Sequence, residues 1–200
     1  MTLQSTQILV GITGGIACGK SSALREFQKL GWAGISADNI AGEILSSDGP
    51  VRLKILERWG PRVLRDCGNI DKSVIGGIVF KSERERKWIG NLLHPIIRTR
   101  WLSFAQSCAS EKCMIELPLL FENEIQNYFK YTITTYSPLS MIYNRLNERG
   151  LSTEDATVRV HSQLELSRKV QFADFVLWGG GSMEFLHRQV RELDGFLSQD

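Results

Sequence analysis

The sequence predicts an α/β fold, a five-stranded parallel sheet with helices on both faces. Two observations lead there. Five short runs rich in apolar and β-branched residues recur at Gln7 to Ile12, Trp32 to Ser36, Cys113 to Leu117, Tyr131 to Thr135 and Asp174 to Trp178, and helical patterns separate them. The composition is that of an ordinary globular chain: 200 residues, 42% hydrophobic, 23% charged, 18 Gly and only 5 Pro. That suffices for a well-buried core and is unlike disordered, collagenous or low-complexity chains. No repeat or Pro/Ser/Gly linker divides the chain, so residues 1–200 read as one domain.

Each helical pattern carries its own signals. Lys20 to Leu30 sets Ala23, Leu24, Phe27 and Leu30 on one face, and Gly31 stops it. Between the second and third runs lie about seventy-five residues, far more than a simple crossover needs. They hold patterns at Ile40 to Leu45, Val51 to Trp59, Lys72 to Phe80 and Arg84 to Leu93. A separate helix is expected to start at Pro95, because proline suits a first turn. Between the fourth and fifth runs, Pro138 to Arg149 and Thr153 to Arg168 read as a helical hairpin broken at Gly150, with Ser152 and Asp155 resembling a capping box. Ser182 caps a last helix striped by Phe185, Leu186, Val190, Leu193 and Leu197. The charge run Lys81 to Lys87 reads as a solvated helix face. Helical excursions from a sheet often become substrate walls and lids.

Lys and Arg number 24 against 22 Asp and Glu, a net charge of +2. This is too little to draw nucleic acid or a membrane by bulk electrostatics. No apolar stretch is long enough to span a bilayer, and MTLQSTQ has no charged segment leading into an apolar signal core, so a cytoplasmic protein is expected. Cys18, Cys67, Cys108 and Cys113 are too few for a disulfide scaffold and lack zinc spacing, and His94, His161 and His187 lie far apart. The expected partners are small molecules; the oligomeric state stays open.

The sharpest motif is Gly14-Gly15-Ile16-Ala17-Cys18-Gly19-Lys20-Ser21, a GxxxxGK[ST] phosphate loop between an apolar run and an amphipathic helix. Its glycines turn backbone N–H groups around phosphate oxygens, and the helix N-terminus, with Ser22 in its first turn, adds positive potential. Lys20 is expected to reach the β and γ phosphates and the Ser21 hydroxyl to ligate Mg²⁺. The chain has neither the NKxD and DxxG of a GTP switch nor four apolar residues ending in Asp-Glu, as motor ATPases carry. Small-molecule kinases remain, and these need an acid for the acceptor hydroxyl. Asp38, just beyond the second run, falls at the sheet's carboxyl edge and suits that role; its alternative is to cap a helix beginning at Asn39. Cys18, beside Lys20 at a helix N-terminus, is either a reactive thiolate or a small, buried, inert loop residue.

Further segments resemble one family over almost the whole chain, the dephospho-coenzyme A kinases. They are Thr13 to Ser21 (TGGIACGKS), Ser36-Ala37-Asp38-Asn39-Ile40-Ala41, Asn69-Ile70-Asp71, Val79-Phe80, Leu93-His94-Pro95-Ile96-Ile97-Arg98, and Glu116 to Glu122 (ELPLLFE). Arg145, Arg149, Leu151-Ser152, Gln163, Lys169, Ala173-Asp174 and Gly181-Ser182 continue the match. The resemblance implies a P-loop kinase fold, with the loop at 14–21, an acceptor-binding helical insertion at about 39–112 and a helical lid at about 138–170. It implies ATP-dependent phosphorylation of the ribose 3′-hydroxyl of dephospho-coenzyme A. Lys20, Asp38 and Arg145 would be catalytic. Residues 14–22 would hold the nucleotide with Arg145 and Arg149, which lie four apart on one helical face. His94, Arg98, Pro118, Leu119, Phe121 and Glu122 would line the acceptor. Glu116 stands where the family commonly has Asp and would act on Mg²⁺ through water. Two places depart from the family pattern: Ala17-Cys18 replace the loop's usual small residues, with Ala17 taking backbone geometry where glycine is common, and Trp178-Gly179-Gly180 lie where an Asp-Asn pair is usual. The rival readings are a kinase for another small alcohol or nucleotide, and a nucleotide-binding regulator without turnover; the latter need not keep Lys20, Ser21 and Asp38 together.

Overall fold

Residues 9–14, 113–116 and 132–135 are buried without alternation, the pattern of central parallel strands covered on both faces. The computed structural model describes residues 7–47 and 49–199. Its elements run β1 (Ile8–Gly14), α1 (Lys20–Lys29), β2 (Ala33–Ser36), α2 (Ala37–Ser46), α3 (Pro50–Trp59), α4 (Lys72–Lys81), α5 (Glu83–Ser107), β3 (Lys112–Glu116), β4 (Tyr131–Tyr136), α6 (Leu139–Glu148), α7 (Thr153–His161), α8 (Leu166–Phe172), β5 (Phe175–Trp178) and α9 (Met183–Leu197). All four strand pairings are parallel, in the order β2-β3-β1-β4-β5. The chain travels from β1 out to β2, returns to β3, and then crosses to β4 on the other side of β1. That reversal beside β1 is where open α/β sheets bind ligands, at the strands' carboxyl ends. Register brings Ile12 and Ser36 both opposite Glu116, and Gly14 opposite Thr135, so the four strand ends share one edge.

By chain contacts the molecule divides into two compact units, Ala37–Leu102 and the remainder. In the sheet unit, Val10, Ile12, Met114, Ile133 and Leu177 face Leu24 and Phe27 of α1 and Leu186, Val190 and Leu193 of α9. The opposite face is covered by α8 and by Leu120 and Phe129, which crowd against Gly11. Each fully buried side chain of this kind contributes roughly 1.5–3 kcal/mol. In the 37–102 unit, Trp59 and Trp88 meet edge to face at 5.0 Å. Glu85 accepts from Trp59 Nε1 at 2.8 Å and binds Arg58 through both its oxygens, which holds its carboxyl down at about 2. The run Lys81 to Lys87 is thus solvated only in part.

The five strands fall within two residues of the expected runs, and Ser152 and Ser182 cap α7 and α9 through their hydroxyls. Three expectations need correction. No helix starts at Pro95, because α5 runs through it. Pro95 and Asn91, whose carbonyl loses the ladder partner, are both exposed, so water can take the bond that proline cannot make. Thr153 to Arg168 is not one helix: α7 ends at His161 and α8 begins at Leu166. Between them the Leu164 N–H donates to the Glu122 carboxylate at 3.0 Å, outside any helical ladder. Asp38 does not precede its helix as a cap, because α2 begins directly after β2, at Ala37, and Asp38 lies in its first turn.

Candidate active site

Beyond β1 the loop 14–19 turns sharply into α1. Gly19 caps that helix at φ +94°, a conformation open to glycine, and offers no side chain to the helix N–H groups. The first turn of α1 contains no acid, so its amides face the loop as an anion site. Lys20, only 8% exposed, folds back so that Nζ donates to the carbonyls of Gly14 at 3.2 Å and Gly15 at 2.8 Å. Its charge therefore lies over the concave loop. Underneath, Ile16, Ala17 and Cys18 pack with Ile142 and Leu146 of α6 and Ala156 of α7. Cys18 is fully buried, and burial pushes its thiol up despite the opposing pull of Lys20 and Arg145. Its setting is the inert one of the two considered. Ser22 accepts from Arg25 at 3.1 Å on the first turns of α1.

Ser21 Oγ donates to Glu116 Oε1 at 2.8 Å. Glu116 is 1% exposed, and its second oxygen, Oε2, is buried without a hydrogen-bond partner. A hydroxyl and an unsatisfied carboxylate oxygen beside a phosphate loop fit a hard cation such as Mg²⁺, which takes few protein ligands and completes its shell with phosphate and water. No cluster of three or more His, Cys, Asp or Glu occurs among the described residues.

Around this centre, Arg145 Nη1 donates to Ala17 O at 2.9 Å and Ser137 Oγ at 3.3 Å, and Nη2 to Gly179 O at 2.7 Å. Arg149 is the exposed C-cap of α6. Beyond β3, Pro118 O accepts from Thr13 Oγ1 at 3.3 Å and from Lys169 Nζ at 2.7 Å. Lys169, fully buried, also pairs with Glu122 Oε1 at 2.7 Å. Phe121 is buried edge to face with Phe172 at 5.6 Å, whereas Leu119 is half-buried. Of the expected acceptor-lining residues, Phe121 and Glu122 are thus engaged by α8. In the 37–102 unit, Asp38 is exposed in the first turn of α2, and His94 and Arg98 are half-buried one turn apart on α5.

A family model for dephospho-CoA kinase matches residues 8–184. The chain belongs to the dephospho-CoA kinase family. It is 34% identical over 197 residues to a dephospho-CoA kinase from Thermosynechococcus vestitus, covering 98% of this chain and 97% of that one. Among solved structures it resembles a dephospho-CoA kinase from Campylobacter jejuni, with TM-score 0.64 and 28% identity over 98% of this chain and 100% of the other. It also resembles a protein from Thermus thermophilus, with TM-score 0.77 and 26% identity over 96% and 98%.

The two departures from the dephospho-CoA kinase pattern meet in the structure. A Cβ on Gly179 would overlap the Cys18 carbonyl oxygen, and Arg145 bonds Ala17 and Gly179 together. From the sequence, Gly179 falls near the adenine pocket that the family resemblance implies, and Lys169 only continues the match; their bonds to Arg145 and to Glu122 join residues too far apart in the chain to be read from pattern. For Glu116, to which the family resemblance assigns Mg²⁺, the local signal is Cys113-Met114-Ile115, a short apolar strand ended by an acid.

Proposed function

We propose that this chain transfers the γ-phosphoryl group of ATP to the ribose 3′-hydroxyl of dephospho-coenzyme A, releasing coenzyme A and ADP. The observation that carries the phosphoryl-transfer chemistry is the Ser21–Glu116 pair, with its unsatisfied Oε2, set against the Lys20 loop. The acceptor follows from membership of the family along residues 8–184.

In this reading the loop amides and Lys20 bind the β and γ phosphates and meet the charge that builds as the γ-phosphoryl group leaves. Ser21 and Glu116 would hold Mg²⁺, which would neutralise phosphate charge. Asp38 orients the acceptor hydroxyl and takes its proton as oxygen bonds to phosphorus and the bond to the ADP oxygen breaks. His94 and Arg98 bind the acceptor's phosphate or adenine, Pro118 and Leu119 wall its pantetheine arm, and Arg149 supplies further charge to the polyphosphate. The 37–102 unit is the acceptor-binding part, and α6 to α8 form the lid. Among the described residues no helix is long and apolar enough to cross a membrane, in keeping with work in the cytoplasm.

ADP release measured with dephospho-coenzyme A, AMP, adenosine and shikimate tests the assignment. Turnover is expected with dephospho-coenzyme A alone; a faster rate with another acceptor refutes it.

A further inference from the structure

The phosphate loop is gripped from outside by groups that phosphate binding does not itself require. Ala17, at its apex, has φ +58°, the left-handed region that L side chains rarely occupy. Its carbonyl oxygen is turned onto Arg145, whose guanidinium spans Ala17 O, Ser137 Oγ and Gly179 O. Gly179 is in turn fixed by its own N–H on Tyr136 O at 2.7 Å. Just before it, the Gln189 amide holds both backbone groups of Trp178, accepting from N–H at 2.8 Å and donating to O at 3.0 Å. The end of β5 is thereby a rigid seat. The Cys18 carbonyl presses so closely on it that residue 179 has no space for a Cβ, which would also stand 3.0 Å from Ser137 Oγ.

We propose that Arg145 is a positioning residue that holds the left-handed turn at Ala17 against the seat at Gly179, so that the loop amides are aligned before nucleotide arrives. Its charged fork satisfies the carbonyls that this turn directs away from the phosphates, and fixed donors need no reorganisation when phosphate binds. The role differs from a clamp on the transferring phosphoryl group, because Arg145 acts through the loop. The inference rests on the loop being the ATP site.

Arg145→Gln and Arg145→Lys, each made with Ala17 and with Ala17→Gly, separate the two roles. MgATP and MgADP affinities are measured by calorimetry, with kcat and both KM values alongside, and thermal melts identify any variant that fails to fold; Arg145→Lys then carries the comparison. Arg145→Gln is expected to weaken MgATP and MgADP equally, by roughly tenfold, with KM for dephospho-coenzyme A unchanged. With glycine at 17, which adopts the turn unaided, the loss is expected to shrink to under about threefold. Gly179→Ala is expected to weaken both nucleotides in the same way. A loss equal in both backgrounds overturns the inference, and a loss much larger for MgATP than MgADP overturns it and puts Arg145 on the γ-phosphate. A parent protein that binds neither nucleotide overturns the ATP reading itself, a distinguishable failure.

Discussion

Glu122→Gln is the sharpest test of how the residues after β3 are held. The substitution keeps shape and leaves an amide oxygen for the Leu164 N–H, but it removes the charge opposite Lys169, whose side chain is 0% exposed and whose Nζ lies 2.7 Å from Glu122 Oε1. Breaking one side of a buried ion pair costs about 3–5 kcal/mol, because the remaining charge keeps its desolvation penalty. At about 2.1 cal/mol/K per residue, unfolding this chain releases roughly 0.4 kcal/mol/K, so the melting temperature should fall by about 7–12 °C. The deficit should also depend on pH. Burial holds the Lys169 ammonium below the ordinary 10.5, and Glu122 pulls it back up. A lysine lowered in the folded state costs stability below its folded pKa, since the unfolded chain binds the proton more tightly, and the cost is relieved as pH rises from that value towards 10.5. Without Glu122 the value drops further and relief begins earlier, so the gap between variant and parent should narrow as pH rises above neutrality. Adding Lys169→Met, which removes both charges, should recover more than half of the loss. Calorimetric melts at several pH values decide it. A shift under about 2 °C at neutral pH, or a deficit that grows with pH, refutes the reasoning.

If the Asp38 carboxylate serves the acceptor as proposed, Asp38→Asn should lower kcat by about a hundredfold or more and leave MgATP affinity within about threefold; equal losses in both would remove it from that role. Glu116→Gln should raise the Mg²⁺ concentration for half-maximal activity by roughly tenfold, because it takes charge from the only acid bonded to Ser21 among the described residues. An unchanged Mg²⁺ requirement places the cation elsewhere. Alkylation of the native protein should modify exposed Cys67 and spare buried Cys18, with little loss of activity, because burial raises the Cys18 thiol and reduces its thiolate fraction. Inactivation that MgATP prevents and Cys18→Ser abolishes would contradict this.

The parts of the fold written in local pattern could be read directly: strand runs, the glycine stops after α1 and α6, and the serine caps of α7 and α9. The phosphate loop was legible for the same reason, since its function resides in one stretch of backbone between a strand and a helix. Pro95 misled because proline's preference for a first turn is local, whereas α5 continues on account of tertiary burial. Ile89, Leu93 and Trp101 are buried on either side of the proline, and the broken bond faces solvent. The break at 162–165 was invisible because the group that takes up its freed Leu164 N–H, Glu122, lies forty-two positions away in sequence.

The acids illustrate where local reading stops. Glu116 and Glu122 both flank the apolar turn after β3, and the sequence presents them alike, as charges bounding a hydrophobic run. What separates them is register. Parallel pairing sets Glu116 opposite Ile12, two residues before the loop begins, and so within reach of Ser21, ninety-five positions away. Six residues further on, Glu122 turns instead to Lys169, which α8 delivers beneath the sheet. Each carboxylate keeps one buried oxygen without a hydrogen-bond partner, but Glu116 holds its own beside the phosphate loop on Ser21, whereas Glu122 is bound through its other oxygen to a buried cation. Their chemical difference is created by strand order and crossover length. From the last residue of β3 the Glu116 stem is long enough to bring its carboxylate to Ser21 Oγ at 2.8 Å.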